Sequence, residues 1–151
     1  MSFVASLIYK ALVWKERQSA KLGRRPKSGA SRAEHLRTGE RGETLAYWFL
    51  RQAGYTIVAR DRRSRAGEVD LVGWDGPVLA FVEVKTRTSD AAGPPEVAVG
   101  RSQQKRIARA AHEHLRKMKK RPESFRFDTV SVSWEEQSGF QVRLIKDAFK
   151  G

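Results

Sequence analysis

Cysteine is absent from the chain, which excludes disulfides, zinc–thiolate sites and cysteine nucleophiles. Histidine is scarce, with only His35, His112 and His114. His112 and His114 stand two apart in a stretch expected to be helical, so they do not share a face. A histidine-built zinc site is therefore not expected, and carboxylates must carry any metal chemistry. Acids are also few: 17 Asp and Glu against 30 Lys and Arg, for a formal net charge of +13. Folding does not require such an excess. It points to a polyanionic partner, nucleic acid first and an anionic membrane surface second. No apolar run is long enough to span a bilayer. The apolar stretch at residues 1–14 is interrupted by Lys10, and its basic residues follow it, the reverse of a signal peptide. A cytoplasmic protein without an integral membrane segment is expected.

What remains suits one globular domain. The chain has 151 residues, 40% of them hydrophobic, enough for a sizeable core. Its organising stretch is residues 66–87, AGEVDLVGWDGPVLAFVEVKTR. Two β-rich runs, 68–74 and 78–86, flank Asp75-Gly76, a strong hairpin signal because Gly accepts positive φ. Pro77 has no N–H to donate and suits a strand start.

Three charges sit inside this apolar hairpin: Asp70 on the first strand, Glu83 and Lys85 on the second. Side chains alternate along a strand, so Glu83 and Lys85 point the same way. Leu79, Phe81, Val82 and Val84 around them read as a strand covered on both faces. Carboxylates there are costly to bury without a cation or hydrogen bonds. Two acids and an ammonium at the end of such a hairpin suit a divalent metal and an activated water. The plainer alternative is a solvated Glu–Lys ion pair, the usual meaning of Glu-x-Lys on a strand.

Asp70 followed by Glu83-Val84-Lys85 after a hairpin turn resembles the D…(D/E)-x-K signature of the restriction-endonuclease-like nucleases. Thr38-Gly39-Glu40-Arg41-Gly42-Glu43, Gly67-Glu68-Val69-Asp70-Leu71, Phe81-Val82-Glu83-Val84-Lys85-Thr86-Arg87 and Arg126-Phe127-Asp128, in that order, resemble the uncharacterised YraN-type endonuclease-like family. The likeness runs from about residue 36 to the C-terminus. It implies an α/β fold with an αβββαβ core, a mixed central sheet flanked by helices. It implies Mg²⁺ or Mn²⁺ held by Asp70 and Glu83, with the Val84 carbonyl as a further ligand, and Lys85 acting on the water or phosphate. It adds Glu43, on the first core helix, as a third acid, and Gln104 and Lys105 as polar residues early in a later helix.

Residues 1–35 lie outside the resemblance and read as a basic N-terminal arm, with 36–151 as the endonuclease-like domain. Residues 1–14 place Phe3, Val4, Leu7, Ile8, Ala11 and Leu12 at helical spacing. They read as a short amphipathic helix or an unstructured arm, suited to contacting a partner or membrane surface. Residues 15–33 are basic and turn-rich, and a flexible arm is expected. Ser31-Arg32-Ala33-Glu34 is a capping-box pattern, opening a helix to Ala53 that Gly54 closes. Gly39 and Gly42 in it suggest a close approach of another group. A first strand is expected at 55–60 and a basic loop at 61–65, with Arg62, Arg63 and Arg65 placed to hold phosphates. Residues 88–100 read as a loop over the site. A helix to about Lys120 then carries Val97, Arg101, Gln104, Ala108, Ala111, Leu115 and Met118 at heptad-like spacing, with Ile107 alongside, most of them forming the buried stripe. Its other faces are basic. Lys105 and Arg109 there, with Arg87, join the expected nucleic-acid contacts. Strands at 125–132 and 140–145 follow, with a turn at 137–139 and Phe149 as a terminal anchor. Asp128 reads as a structural residue.

The expectation is a metal-dependent endonuclease hydrolysing phosphodiesters, with DNA favoured over RNA. The alternative is a non-catalytic nucleic-acid-binding protein of the same fold. Many enzymes of that superfamily are dimers; a homodimer stays open, with no sequence signal for one.

Overall fold

The computed structural model describes residues 3–21, 32–87, 99–135 and 139–151. Residues 22–31 of the basic arm, 88–98 of the loop expected at 88–100, with Val97 among them, and Gln137 and Ser138 of the expected turn lie outside the described residues. The order of elements is α1 (Phe3–Lys21), α2 (Arg32–Gln52), β1 (Thr56–Arg63), β2 (Glu68–Asp75), β3 (Val78–Arg87), α3 (Arg101–Lys117), β4 (Ser124–Glu135) and β5 (Gly139–Phe149). From α2 to β4 this is the expected αβββαβ core, with α1 before it and β5 after it.

The five strands form one mixed sheet in the order β1-β2-β3-β4-β5. Only β3 and β4 run parallel, joined through α3 as a parallel pair requires. The β2–β3 hairpin pairs from Asp75↔Val78 to Leu71↔Val82, so its two-residue loop is Gly76-Pro77. Gly76 takes φ +58 at the first central position, as a type II′ turn demands, and Pro77 supplies the second. Gly54 closes α2 with φ +103. β1 runs three residues further than expected: Asp61, Arg62 and Arg63 are strand, not loop. A bulge between Ile57 and Ala59 turns Val58 outward.

Apolar alternation on the inner strands builds two cores. Leu79, Phe81 and Phe127 pack under Ile107, Ala111 and Leu115 of α3. Leu71, Val82, Val130 and Val132 pack under Leu45, Ala46 and Leu50 of α2. The buried stripe of α3 differs from the expected one. Arg101 is exposed and Ala110 is buried, because the stripe follows Ile107, Ala110, Ala111 and Leu115 rather than a heptad from Val97. Phe149 stacks on Phe127 with ring centres 4.9 Å apart, the expected anchor. α1 continues through Lys15–Lys21, expected to be flexible, because it has a surface to cover: Leu12 and Val13 join the α2-side core and Tyr9 meets Phe49 edge-on at 5.6 Å.

Two glycines permit close approaches beside the acids. A side chain at Gly67 would overlap the Arg106 backbone of α3, and one at Gly42 would overlap Thr86 of β3. Gly39 meets nothing close. Gly67→Ala must push the β1–β2 turn off α3, since a backbone carbonyl cannot swing away. It should cost about 1–3 kcal/mol, read as a fall in melting temperature of about 2–4 °C per kcal/mol. An unchanged melting temperature would contradict that packing.

Candidate metal and nucleic-acid site

β2 and β3 stop pairing beyond Leu71↔Val82. Continuing the register would place residue 69 opposite Val84. Instead the Asp70 carboxylate turns in and accepts the Val84 N–H at 2.7 Å. A side chain thus satisfies a ladder donor where two strands part, and that sets the acid beside β3. Glu83, on β3, is buried on the α3 side, close enough for the Asp70 charge to oppose its ionisation. Lys85, two residues on and on the same face, holds its Nζ 3.6 Å from Glu83 Oε1.

Gln103 of α3 completes the cluster. Its amide nitrogen donates to Glu83 Oε1, and its amide oxygen accepts from Lys85 Nζ. Sequence reasoning favoured Gln104 and Lys105 at this position. Gln104 instead donates to the Val99 carbonyl at 2.7 Å, closing the start of α3, and Lys105 is exposed. The signal for Gln103 was available: it lies one turn before Ile107, the residue that points α3 into the sheet.

The electrostatics follow from crowding. Burial, then the neighbouring Asp70 carboxyl, pushes Glu83 up to about 8, against the opposing pull of Lys85. Burial also raises Asp70, partly offset by the Val84 N–H. Glu43, half-buried on α2, is raised by burial and then by the charges of Asp70 and Asp61. It is near enough to feel the Asp70 charge. Among the described residues, though, no three Asp, Glu or His side chains lie close enough together to hold a metal by themselves. His112 and His114 instead pack edge-on against Phe125 and Phe81.

The residues nevertheless suit a hard divalent ion. Mg²⁺ characteristically binds through one or two carboxylates and keeps several waters. β4 lines up beside β3 with Glu83↔Thr129 and Lys85↔Ser131 in register, so those hydroxyls share the face of the acids. Both are buried, and neither Thr129 Oγ1 nor Ser131 Oγ has a hydrogen-bond partner. Buried polar groups are rarely left so, and ordered water or an ion's hydration shell can supply the missing partner. Neither hydroxyl was singled out from sequence. Their only signal was the parallel register with β3.

Ionisation of this cluster opposes folding in the absence of metal. Both acids titrate above their ordinary range in the fold, so the protonated forms favour the folded state. That stability is complete below about pH 4.5 and is lost as pH rises to about 8, where Glu83 ionises. In EDTA, wild-type protein is expected to lose melting temperature relative to Glu83→Gln as pH rises from 5 to 8.5, and Mn²⁺ is expected to restore it. A constant difference between the two proteins across that range would contradict the crowding.

Cations are plentiful at the end of β1 and on the outer face of α3. Arg62 and Arg63 end β1 and Arg65 follows in the turn, all exposed. Arg63 and Arg106 approach Glu68 at 3.8 and 3.6 Å. Lys105 and Arg109, one turn apart, are exposed on α3, and Arg87 ends β3 half-buried. A shallow pocket between β1 and α3 is lined by Arg62, Arg63, Ser64, Glu113, His114 and Lys117. Asp128 is elsewhere, on the α2 side. Its carboxylate accepts from Tyr55 Oη at 2.9 Å, Arg126 Nε at 2.8 Å and the Asp147 N–H at 2.9 Å, a structural role.

A mixed sheet between helices, with paired acids where the second strand leaves the third, is the restriction-endonuclease-like architecture. Comparison with known sequences places the chain within that class. The uncharacterised protein family UPF0102, the YraN-type family, matches residues 42–132, and the protein belongs to it. A UPF0102 protein of Syntrophus aciditrophicus is 42% identical over 117 residues, 78% of this chain and 91% of its own. One from Symbiobacterium thermophilum is 45% identical over 113 residues, 75% of this chain and 96% of its own. One from Solibacter usitatus is 50% identical over 113 residues, 74% of this chain and 84% of its own.

Proposed function

We propose that this protein is a divalent-metal-dependent endonuclease that hydrolyses phosphodiester bonds in nucleic acid, DNA in preference to RNA. The reading rests on one observation: Asp70, half-buried, and Glu83, buried, crowd together with a single ammonium, Lys85, where the strands part. Asp70 and Glu83 would hold Mg²⁺ or Mn²⁺, with the Val84 carbonyl as a further ligand and Glu43 acting through water or a second ion. A bound ion of this kind lowers the pKa of its water and offsets charge developing on the phosphate. Lys85 orients the attacking water or stabilises the scissile phosphate. Gln103 keeps the Lys85 ammonium beside Glu83, so that it is held before substrate arrives. Arg62, Arg63, Arg65, Arg87, Lys105 and Arg109 supply phosphate contacts, which make binding fall with salt.

The test is incubation of purified protein with nicked, branched and single-stranded DNA in Mg²⁺ or Mn²⁺. Cleavage is expected, and neither Asp70→Ala nor Lys85→Ala should cut. Cutting that survives either substitution would remove the assignment. The second reading is a binding protein with no turnover. It is favoured by Glu83, which at neutral pH can keep a proton in place of a metal. It predicts salt-sensitive nucleic-acid binding with no Mn²⁺ heat in calorimetry.

A further inference from the structure

α1 precedes the span matched by the family, residues 42–132, and presents two unlike faces. Ala5, Leu12, Val13 and Glu16 turn toward the protein. Glu16 is the sole acid of this helix, and it is buried in an ion pair with Arg41 of α2, whose Nε lies 3.0 Å from its Oε1. The outward face therefore carries no negative charge. Phe3 is 77% exposed, Val4 61%, Leu7 53% and Trp14 66%. Phe3, Leu7, Lys10, Trp14 and Arg17 recur at steps of four and three, so they form one stripe of large apolar side chains interleaved with cations. Lys15 is exposed beside it.

A contiguous apolar stripe kept in water marks an interaction surface. The occupant must match both of its chemistries. A nucleic-acid backbone answers the cations but leaves Phe3, Val4 and Leu7 wet. A second copy packed on the same stripe would oppose Lys10, Lys15 and Arg17 to their own kind. An anionic bilayer surface answers both. Phe and Leu side chains enter the acyl boundary, Trp settles at the headgroup level, and Lys and Arg meet lipid phosphates. We infer that the outward face of α1 docks this protein, peripherally, on an anionic lipid surface. No helix among the described residues is long and apolar enough to cross a membrane, so the contact is one of lying on the surface. α1 packs on α2 and β5, whereas Glu83, Lys85 and Gln103 gather on the α3 side, so the docked helix and the acid pair occupy different layers.

The experiment is co-sedimentation of the full chain with vesicles of phosphatidylglycerol and phosphatidylcholine, and with phosphatidylcholine alone, at physiological salt. Tryptophan emission is recorded in parallel. Wild-type protein is expected to pellet with the anionic vesicles only, with a blue-shifted emission. Trp14→Asp and Leu7→Asp should each lower partitioning about tenfold or more. Lys10→Ser with Arg17→Ser should lower it on the order of 30-fold, about fivefold for each cation. These side chains face away from the core, so circular dichroism and melting temperature should match wild type. Binding of a short DNA duplex, read by anisotropy, should be unchanged in the two Asp variants. Failure to pellet with anionic vesicles overturns the inference. So does pelleting that Trp14→Asp and Leu7→Asp leave intact, which would mean that net charge alone binds lipid. Loss of duplex binding, or of a dimer in sedimentation velocity, in place of vesicle binding would assign the face to that partner instead.

Discussion

Asp70→Asn is expected to abolish Mn²⁺ binding and lower any cleavage by at least about 100-fold, the upper scale on which even outer partners of metal ligands act, with no loss of thermal stability. The two effects separate because Asp70 has two roles. Its oxygen completes the ladder by accepting the Val84 N–H, and an asparagine carbonyl can still do that. Its charge crowds Glu83, and removing that charge lets Glu83 fall back toward the ordinary carboxylate range. A melting temperature in EDTA equal to or above wild type, with calorimetric Mn²⁺ binding gone, is the expected pair of results. A strongly destabilised Asp70→Asn that still binds Mn²⁺ would show the residue to be structural instead.

Asp128→Ala should give the largest loss of stability in the molecule's polar network, about 3–5 kcal/mol. Asp128 is fully buried and joins three elements: Tyr55 before β1, Arg126 on its own strand and the Asp147 N–H on β5. Arg126 also reaches Asp75 at 2.5 Å, so its guanidinium is held from both sides. Burial and then the Asp128 charge hold the Tyr55 hydroxyl far above its usual pKa, which keeps it a donor at any working pH. Removing the carboxylate leaves the Tyr55 hydroxyl and the Asp147 N–H without their acceptor and leaves Arg126 held by Asp75 and Tyr55 alone, and such losses do not add as independent pairs. For a chain of this size the melting temperature should drop by about 6–20 °C. Below that temperature Mn²⁺ binding should persist, because Asp128 lies on the other side of the sheet from Gln103 and Glu83. A drop of only one or two degrees would mean that the network is not continuous.

The hairpin was legible because its signals are local: Gly76 at the turn, β-rich runs beside it, and charges that stand out in an apolar strand; the loop itself is Gly76-Pro77, one residue on from the Asp75-Gly76 expected, because Asp75 still pairs with Val78. The αβββαβ core and the Asp70–Glu83–Lys85 grouping followed from that hairpin and the family resemblance. Residues whose role depends on another element were harder to read. Gln103 contributes only because α3 starts at Arg101 and aims Ile107, with Gln103 one turn before it, at β3. Thr129 and Ser131 join the acids only through a parallel register, which no local pattern in β4 announces. Arg62 and Arg63 extend β1 because β2 supplies pairing partners as far as Glu68, although their composition reads as loop. The helical character of Lys15–Lys21 was hidden for a related reason. Its support comes from α2, through pairs such as Glu16 with Arg41, 25 residues away.

The most direct measurement is a crystal of the protein soaked in Mn²⁺, with diffraction recorded where manganese scatters anomalously. An anomalous peak between the Asp70 and Glu83 carboxylates, about 2.0–2.2 Å from an oxygen of each, with Lys85 and Gln103 still beside them, is the predicted result. No peak at saturating manganese, or those two carboxylates turned apart toward other partners, would contradict it.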